Sequence, residues 1–176
     1  ACFFLYKIFT VSEFSKQRIK YHLKTKKEIL VTYNGVSKKY TDNFESHTKE
    51  DIILFVGNIK KHKGIQYLIP AFLKAKSILP NIKLYIVGSK DNFRTANEQI
   101  QDLINSCNDN SIVFTEKISS EELVKLYRKS KLLVQPSIYE GFGIPPLEAL
   151  YSNTNVVLSD IPVFLEIYKD FPVRFF

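Results

Sequence analysis

The chain has 176 residues, which is enough to bury one hydrophobic core and short for an enzyme of two full domains. With 45% hydrophobic and 24% charged residues, its composition is that of a globular protein and excludes a disordered tail or a fibrous repeat. The net charge of +7 suits nucleic acid, anionic lipid or a phosphorylated ligand, but no helix-turn-helix, zinc-finger or aromatic RNA-binding pattern accompanies it, so a nucleic-acid-binding domain is disfavoured.

The amino-terminal part of the chain differs in pattern from the rest. In chain order, its predicted elements are a strand over 7–11, a helix over 13–23 capped by Ser12, and a strand over 29–33. The polar stretch 41–50 is typical of a loop or linker. We therefore expect two parts: residues 1–45, the tail of a preceding domain with its linker, and residues 46–176, a separate domain.

Short apolar runs alternate with amphipathic segments from the middle of the chain onward. The runs are 52–56, 84–87, 112–114, 132–134, 156–158 and 173–176. Runs that are apolar on both faces predict buried parallel strands, and their alternation with helical segments predicts repeated βα units. The predicted fold class is α/β, with a Rossmann-like parallel sheet flanked by helices.

The helices between these strands are predicted over 65–79, 95–107 and 120–129. Gly64 opens the first of them and Pro80 closes it. Ser119 and Glu122 form a capping-box pattern before the last, since each side chain can satisfy a free amide at the helix start.

The most informative segment, 136–150, joins a predicted strand end to a helix start through two glycines. Pro146 suits the first helical turn, and free amides at the positive helix end favour anionic or hydroxyl-rich ligands. We expect Glu140 in the loop and Glu148 in that first turn, so that two carboxylates flank one ligand. Each would accept hydrogen bonds from vicinal hydroxyls, which is carbohydrate chemistry more than phosphate chemistry.

This segment resembles the signature of the retaining family-four glycosyltransferases of the GT-B fold (glycosyl transferases group 1), in which two glutamates lie eight positions apart around a glycine-rich loop. Glu140 and Glu148 have that spacing. Either glutamate alone is equally well explained as a surface residue that compensates a helix dipole, but the complete segment favours the family. The resemblance implies that Glu140 positions the donor sugar as a catalytic residue and that Glu148 binds the ribose. It also implies donor binding by Gly141, Phe142, Gly143 and Ile144.

A second match is the segment 55–64, where a predicted strand ends at Gly57 and a helix follows, as in the family's diphosphate-binding loop. Lys63 falls on the family's phosphate-binding lysine and is the second catalytic candidate, because an ammonium there would neutralise charge on the departing nucleoside diphosphate. The alternative is a solvated loop lysine. Many members carry an arginine after the strand's glycine, whereas this chain has Asn58 there, and Lys60 is a candidate to compensate.

Weaker matches extend the resemblance over nearly the whole chain. They are 11–16, similar to the end of the family's first domain; 33–36, similar to the entry to the second; 114–118, similar to the segment that faces the nucleobase; and 159–162 with Glu166, similar to a late loop. Lys117 and Ile118 are therefore candidate donor-binding residues. So is Gly88, which with the loop 89–93 follows a predicted strand at the sheet edge where open α/β sheets bind ligands.

No cofactor or metal is expected. The three histidines, His22, His47 and His62, show no metal-ligand spacing, and His62, alone in a site loop, is a weak candidate for a base. There is no Asp-x-Asp motif, which agrees with the metal-independent donor binding usual for GT-B enzymes. Cys2 and Cys107 indicate neither a disulfide framework nor a zinc site and fit a reducing, cytosolic setting.

For the full-length enzyme, the resemblance implies retaining transfer of a hexosyl group, mannosyl or glucosyl, from a UDP- or GDP-sugar to a glycan or lipid-linked acceptor. Most of the acceptor-binding domain is absent, so we expect a donor-binding half, truncated at its carboxyl end, with little or no activity. The alternative is a nonenzymatic nucleotide-sugar-binding module, in which case supplying the absent domain would not restore transfer. We expect a cytoplasmic location, with basic and aromatic residues available for contact with the inner membrane face if the acceptor is lipid-linked.

Overall fold

The structure is a computed structural model that describes residues 7–41, 48–88, 109–115 and 118–176. The strands are β1 (Ile8–Thr10), β2 (Ile29–Val31), β3 (Glu50–Val56), β4 (Lys83–Val87), β5 (Ile112–Thr115), β6 (Ser130–Gln135), β7 (Asn155–Leu158) and β8 (Val173–Phe175). The helices are α1 (Glu13–Leu23), α2 (Ile65–Lys76), α3 (Ser120–Lys129), α4 (Ile144–Tyr151) and α5 (Pro162–Tyr168). Two short 3₁₀ turns cover Lys38–Tyr40 and Lys61–Lys63.

Six strands form one parallel sheet in the order β5-β4-β3-β6-β7-β8. Every strand predicted from 52 onward is present, and the α/β class with a parallel sheet flanked by helices is confirmed. The central pair, β3 and β6, comes from distant parts of the chain, whereas the other neighbours follow one another in sequence.

The core fills both faces of this sheet. Leu54 and Phe55 follow each other on β3, are both fully buried, and belong to different hydrophobic clusters. Because successive strand side chains point to opposite faces, the two clusters lie on the two sides of the sheet. Ile69 on α2 packs in the cluster with Phe55, while Tyr127 on α3 and Phe164 on α5 pack in the cluster with Leu54.

The amino-terminal elements form a small unit of their own. β1 and β2 pair in parallel in a separate two-stranded sheet. α1 begins after Ser12, as predicted, because the Ser12 hydroxyl accepts a hydrogen bond from the Ser15 amide at 3.0 Å. No residue of α1 is buried, and its closest helix neighbour is α5. The division of the chain into residues 1–45 and 46–176 stays a prediction.

Several predicted boundaries were too long. α2 ends at Lys76 rather than Leu79, because the Ser77 hydroxyl bonds the Lys74 carbonyl at the helix end while Leu79 is 58% exposed and gains little from a further turn. The strands predicted over 7–11 and 29–33 are three residues each, and the last strand stops before the exposed Phe176. The predicted helix 95–107 and loop 89–93 lie outside the described residues.

Candidate functional site

Two loops meet at the carboxyl edge of the sheet, one after β3 and one after β6. Since these strands are parallel neighbours, residues 57–64 and 136–143 leave the sheet side by side. The Ile138 amide donates to the His62 carbonyl at 2.7 Å and ties the loops together. The Gly57 amide donates to the Val87 carbonyl at 2.9 Å, which places the end of β4, with Gly88, beside the first loop.

The close approach of the loops requires glycine at Gly64. Its φ is +75°, and a Cβ there would lie 1.8 Å from the carbonyl oxygen of Pro136. Gly143 has the same requirement, with φ of +86° and a Cβ position 2.4 Å from the ring of Phe164. Both glycines are part of the sequence pattern from which the site was predicted, and the structure gives each a steric reason.

The catalytic candidates Lys63 and Glu140 are in direct contact. The Lys63 Nζ atom donates to Glu140 Oε1 at 2.6 Å, and their side chains are 19% and 10% exposed. The Ser137 hydroxyl donates to the same carboxylate oxygen at 2.8 Å. A nearly buried carboxylate is thus paired with one ammonium and one hydroxyl, which is how proteins hold charge away from water. Lys63 is therefore not the solvated loop lysine of the alternative interpretation.

Glu148 lies one turn later than predicted. α4 begins at Ile144, directly after Gly143, so Glu148 is its fifth residue and the first turn contains no acidic side chain. The position therefore does not compensate the helix dipole. Instead, Glu148 Oε2 accepts a hydrogen bond from the hydroxyl of Tyr127, 2.9 Å away on α3.

Three buried tyrosines lie close enough to these carboxylates to be affected by their charge. Burial, together with Glu148, raises the pKa of both Tyr127 and Tyr40, so these hydroxyls remain protonated donors at neutral pH. Burial chiefly, with contributions from Glu140 and Glu148, also raises the pKa of Tyr168, whose hydroxyl donates to the Gly143 carbonyl. Both glutamates are thus close enough to the Tyr168 hydroxyl for their charges to affect its pKa.

The remaining predicted donor-binding residues have varied surroundings. Phe142 is buried and Ile118 packs partly buried against the same hydrophobic cluster, whereas Asn58 and Ile144 are exposed and Lys60 is partly buried. Gly141 presents its backbone carbonyl to two serine hydroxyls of α1's first turn. Lys117 lies outside the described residues, so its role stays a prediction.

His62 lies on the loop after β3, and its candidacy as a base stays a prediction. Its side chain is exposed, and partial desolvation, followed by the charge of Lys63, lowers its pKa. Sequence reasoning noted Glu166 only as part of a late loop similar to the family's, and it missed Ser137, Tyr127 and Tyr40, all of which act through contacts between residues distant in sequence or between neighbouring loop side chains. No local pattern marks them.

A separate apolar cleft of about 440 Å³ lies between residues 33–36 and helices α4 and α5. Phe142 and Leu147 line it, but Lys63, Glu140 and Glu148 do not. The cleft therefore adjoins the loop after β6 through Phe142 but does not include the pair of Lys63 and Glu140.

In the part of the chain that the structure describes, no group of three or more His, Cys, Asp or Glu side chains is placed to hold a metal ion. None of the helices in the described ranges has the length and apolar character needed to cross a membrane.

A six-stranded parallel sheet flanked by helices, with two glycine-containing loops at its carboxyl edge, defines the class of Rossmann-like α/β domains, here the carboxyl-terminal half of a GT-B fold. The structure of the pneumococcal O-GlcNAc transferase GtfA in complex with UDP and GlcNAc superposes with a TM-score of 0.70 at 19% identity, covering 90% of this chain and 31% of that one.

The sequence places the chain more narrowly. The family model for glycosyl transferases group 1 matches residues 36–176, and the chain belongs to that family. The O-antigen chain mannosyltransferase RfbU of Salmonella typhimurium is 38% identical over 141 residues, covering 80% of this chain and 38% of that protein. The serotype-specific mannosyltransferase WbdA of Escherichia coli is 32% identical over 118 residues, covering 66% of this chain and 14% of that protein. The chain thus spans less than half of either relative.

Proposed function

We propose that the chain is the donor-binding domain of a retaining glycosyltransferase that transfers a hexosyl group from a UDP- or GDP-sugar to a glycan or lipid-linked acceptor. The observation that carries the proposal is the contact of Lys63 with Glu140 where the loops after β3 and β6 meet. A mannosyl or glucosyl group is favoured, and the similarity to RfbU and WbdA, both named as mannosyltransferases, supports mannosyl.

Lys63 and Glu140 are arranged to exchange partners when a donor arrives. A diphosphate carries more negative charge than one carboxylate, so it competes for the ammonium of Lys63. Glu140, still held by the Ser137 hydroxyl, would then accept a hydrogen bond from a hydroxyl of the donor sugar. The pair thus keeps both groups in place before binding, which reduces the reorganisation that binding requires.

In the transfer step, the acceptor hydroxyl oxygen forms a bond to the anomeric carbon as the bond from that carbon to the diphosphate oxygen breaks. The proton of the hydroxyl passes to the departing nucleoside diphosphate, and the new bond forms on the same face of the sugar. Negative charge grows on the leaving oxygen, where the Lys63 ammonium stabilises it in a site shielded from water.

Other parts of the site hold the rest of the donor. The loop 141–143 lies directly before α4, and its backbone amides are available to the diphosphate and sugar. Glu148, oriented by Tyr127, accepts from the ribose hydroxyls. The exposed Asn58 and the partly buried Lys60 lie on the loop after β3 as further diphosphate contacts.

The first test is calorimetric titration of the chain with UDP, GDP, a UDP-hexose and a GDP-hexose. We expect saturable binding of one nucleotide, weakened about tenfold or more by Lys63→Ala and by Glu148→Ala, which corresponds to about 1.4 kcal/mol or more. Lys74→Ala is the matched control, because Lys74 is an exposed lysine of α2 outside the two loops. Absence of binding at millimolar ligand, or equal losses in all three variants, would contradict the proposal.

Turnover distinguishes an enzyme half from the alternative, a nonenzymatic binding module. Supplying an amino-terminal GT-B domain, in one chain or as a second chain, should allow sugar transfer if this is an enzyme half. Binding without transfer in that reconstituted protein would favour the module. A chelator should leave nucleotide binding unchanged.

A further inference from the structure

The first turn of α1 is bonded to the loop that carries Glu140. The hydroxyls of Ser12 and Ser15 both donate to the carbonyl oxygen of Gly141, at 2.7 Å and 3.1 Å. Gly141 directly follows Glu140, so these bonds act on the peptide next to the catalytic candidate. Ser12 is fully buried, and it caps α1 with the same hydroxyl that it donates to the loop.

The same turn is held from the other side by Glu166. This carboxylate, on α5, accepts hydrogen bonds from the amides of Glu13 at 2.7 Å and Phe14 at 2.8 Å. Tyr33, from the segment after β2, donates its hydroxyl to the carboxylate at 3.2 Å. A negative charge at a helix start is favourable in itself, since it faces free amides and the positive end of the helix dipole.

Side-chain hydrogen bonds and one aromatic side chain hold the start of α1 against the donor-binding domain. No residue of the helix is buried, and its apolar contact with the core comes from the partly buried Phe14. An edge-to-face contact between Phe14 and Tyr139, with ring centroids 5.6 Å apart, adds to the bonds near the loop. The loop and the helix start therefore share one small network, and a shift in either displaces the other's partners.

We propose that Ser12, Ser15 and Glu166, here named the clasp, are positioning residues that set the loop carrying Glu140 and couple donor binding to the seating of α1. The clasp residues do not contact the donor themselves. They act on it through the Gly141 carbonyl and the start of α1. Coupling of this kind is reciprocal. If contact of α1 with the loop raises the affinity for the ligand, then ligand binding stabilises that contact by the same free energy. The identity of the ligand rests on the proposed function, but the mechanical link between helix and loop does not.

The first arm of the test needs no ligand. Backbone hydrogen exchange is measured on the full chain and on three variants: Ser15→Ala, Glu166→Gln and Ser77→Ala. Ser15→Ala removes one hydroxyl from Gly141 while alanine favours the helix, so α1 itself should not melt. Ser77→Ala is the matched control, since its hydroxyl also donates to a backbone carbonyl but at the end of α2.

We expect Ser15→Ala and Glu166→Gln each to speed exchange in both α1 and the loop 137–143, and Ser77→Ala to change neither. Faster exchange confined to α1 in Glu166→Gln, or to the loop in Ser15→Ala, would overturn the coupling.

The second arm adds the nucleotide that the wild-type chain binds. Loss of one neutral hydrogen bond of about 1 kcal/mol corresponds to about fivefold weaker binding, which is expected for Ser15→Ala, with a larger loss for Glu166→Gln. Saturating nucleotide should also slow exchange in α1. Protection of the loop without protection of α1 would overturn the proposal. If the wild-type chain binds no nucleotide, the proposed function fails while the ligand-free arm still decides whether the clasp links helix and loop.

Discussion

Removing Lys63 should destabilise the protein because it leaves Glu140 almost without a partner. Breaking a buried ion pair by deleting one member costs about 3–5 kcal/mol, whereas exposed pairs contribute about 0–1 kcal/mol. With side chains 19% and 10% exposed, this pair lies between the two cases, and we expect Lys63→Gln to cost about 2 kcal/mol. For a domain of this size, the change lowers Tm by about 4–8 °C.

Removing Glu140 instead should cost less stability, because the Lys63 side chain is longer and more exposed than that of Glu140. We expect Glu140→Gln to cost about 1 kcal/mol, since water can replace part of what Lys63 loses. The double variant Lys63→Gln/Glu140→Gln carries no uncompensated charge and should recover to within about 1 kcal/mol of the wild type.

Urea unfolding followed by circular dichroism gives the free energy of unfolding of the wild type and the three variants. Calorimetric titration of the same samples gives their affinity for nucleotide. The reasoning predicts that stability recovers in the double variant while nucleotide binding does not, which separates the structural role of the pair from its role in binding. A Lys63→Gln protein as stable as the wild type, or a double variant less stable than both single variants, would refute it.

Three further outcomes are expected. Tyr127→Phe removes the hydroxyl that orients its carboxylate partner and should weaken nucleotide binding about five- to tenfold in calorimetry; unchanged affinity would contradict that role. Gly64→Ala should cost about 2 kcal/mol or more in urea unfolding, because of its positive φ and the nearby carbonyl of Pro136, whereas Gly35→Ala, with nothing within 4 Å, is the control. Hydrogen bonds, chiefly from a lysine, lower the pKa of Asp109 from 3.8 to about 2 in the folded state. The resulting stabilisation is present above pH 4 and lost as the pH falls towards 2, so Asp109→Asn should flatten that acid limb, and an unchanged limb would exclude the effect.

The local features of the fold could be predicted from sequence because they depend on neighbouring residues. The capping box is an example: the Ser119 hydroxyl accepts from the Glu122 amide, the Glu122 carboxylate accepts from the Ser119 amide, and α3 has the predicted bounds. The buried strands were recognised for the same reason, since each is a continuous apolar run. α2 was predicted too long because Leu79 continues the apolar spacing, yet the structure leaves it exposed.

The contacts of the site depend on tertiary structure and were only partly predictable. The two loops were identified from their glycines and charged residues, but nothing local indicates that Lys63 bonds Glu140, 77 positions away. The partnership of Tyr127 with Glu148 was equally hidden, because a tyrosine on an apolar helix face reads as a core residue. Glu148 was placed one turn too early because two consecutive prolines made the position of the helix start ambiguous.

The order of the strands has a consequence for how the protein folds. β3, β4 and β5 are neighbours in both sequence and space, as are β6, β7 and β8, so each trio forms through contacts of moderate sequence separation. In the described sheet, the two trios pair with each other where β3 meets β6, with Glu50 opposite Ser130 and Leu54 opposite Leu133. Pairings of such high contact order close slowly, because the intervening chain must be ordered first. The loops that carry Lys63 and Glu140 follow these two strands, so a chain emerging from the ribosome brings the two side chains together only when β3 and β6 pair.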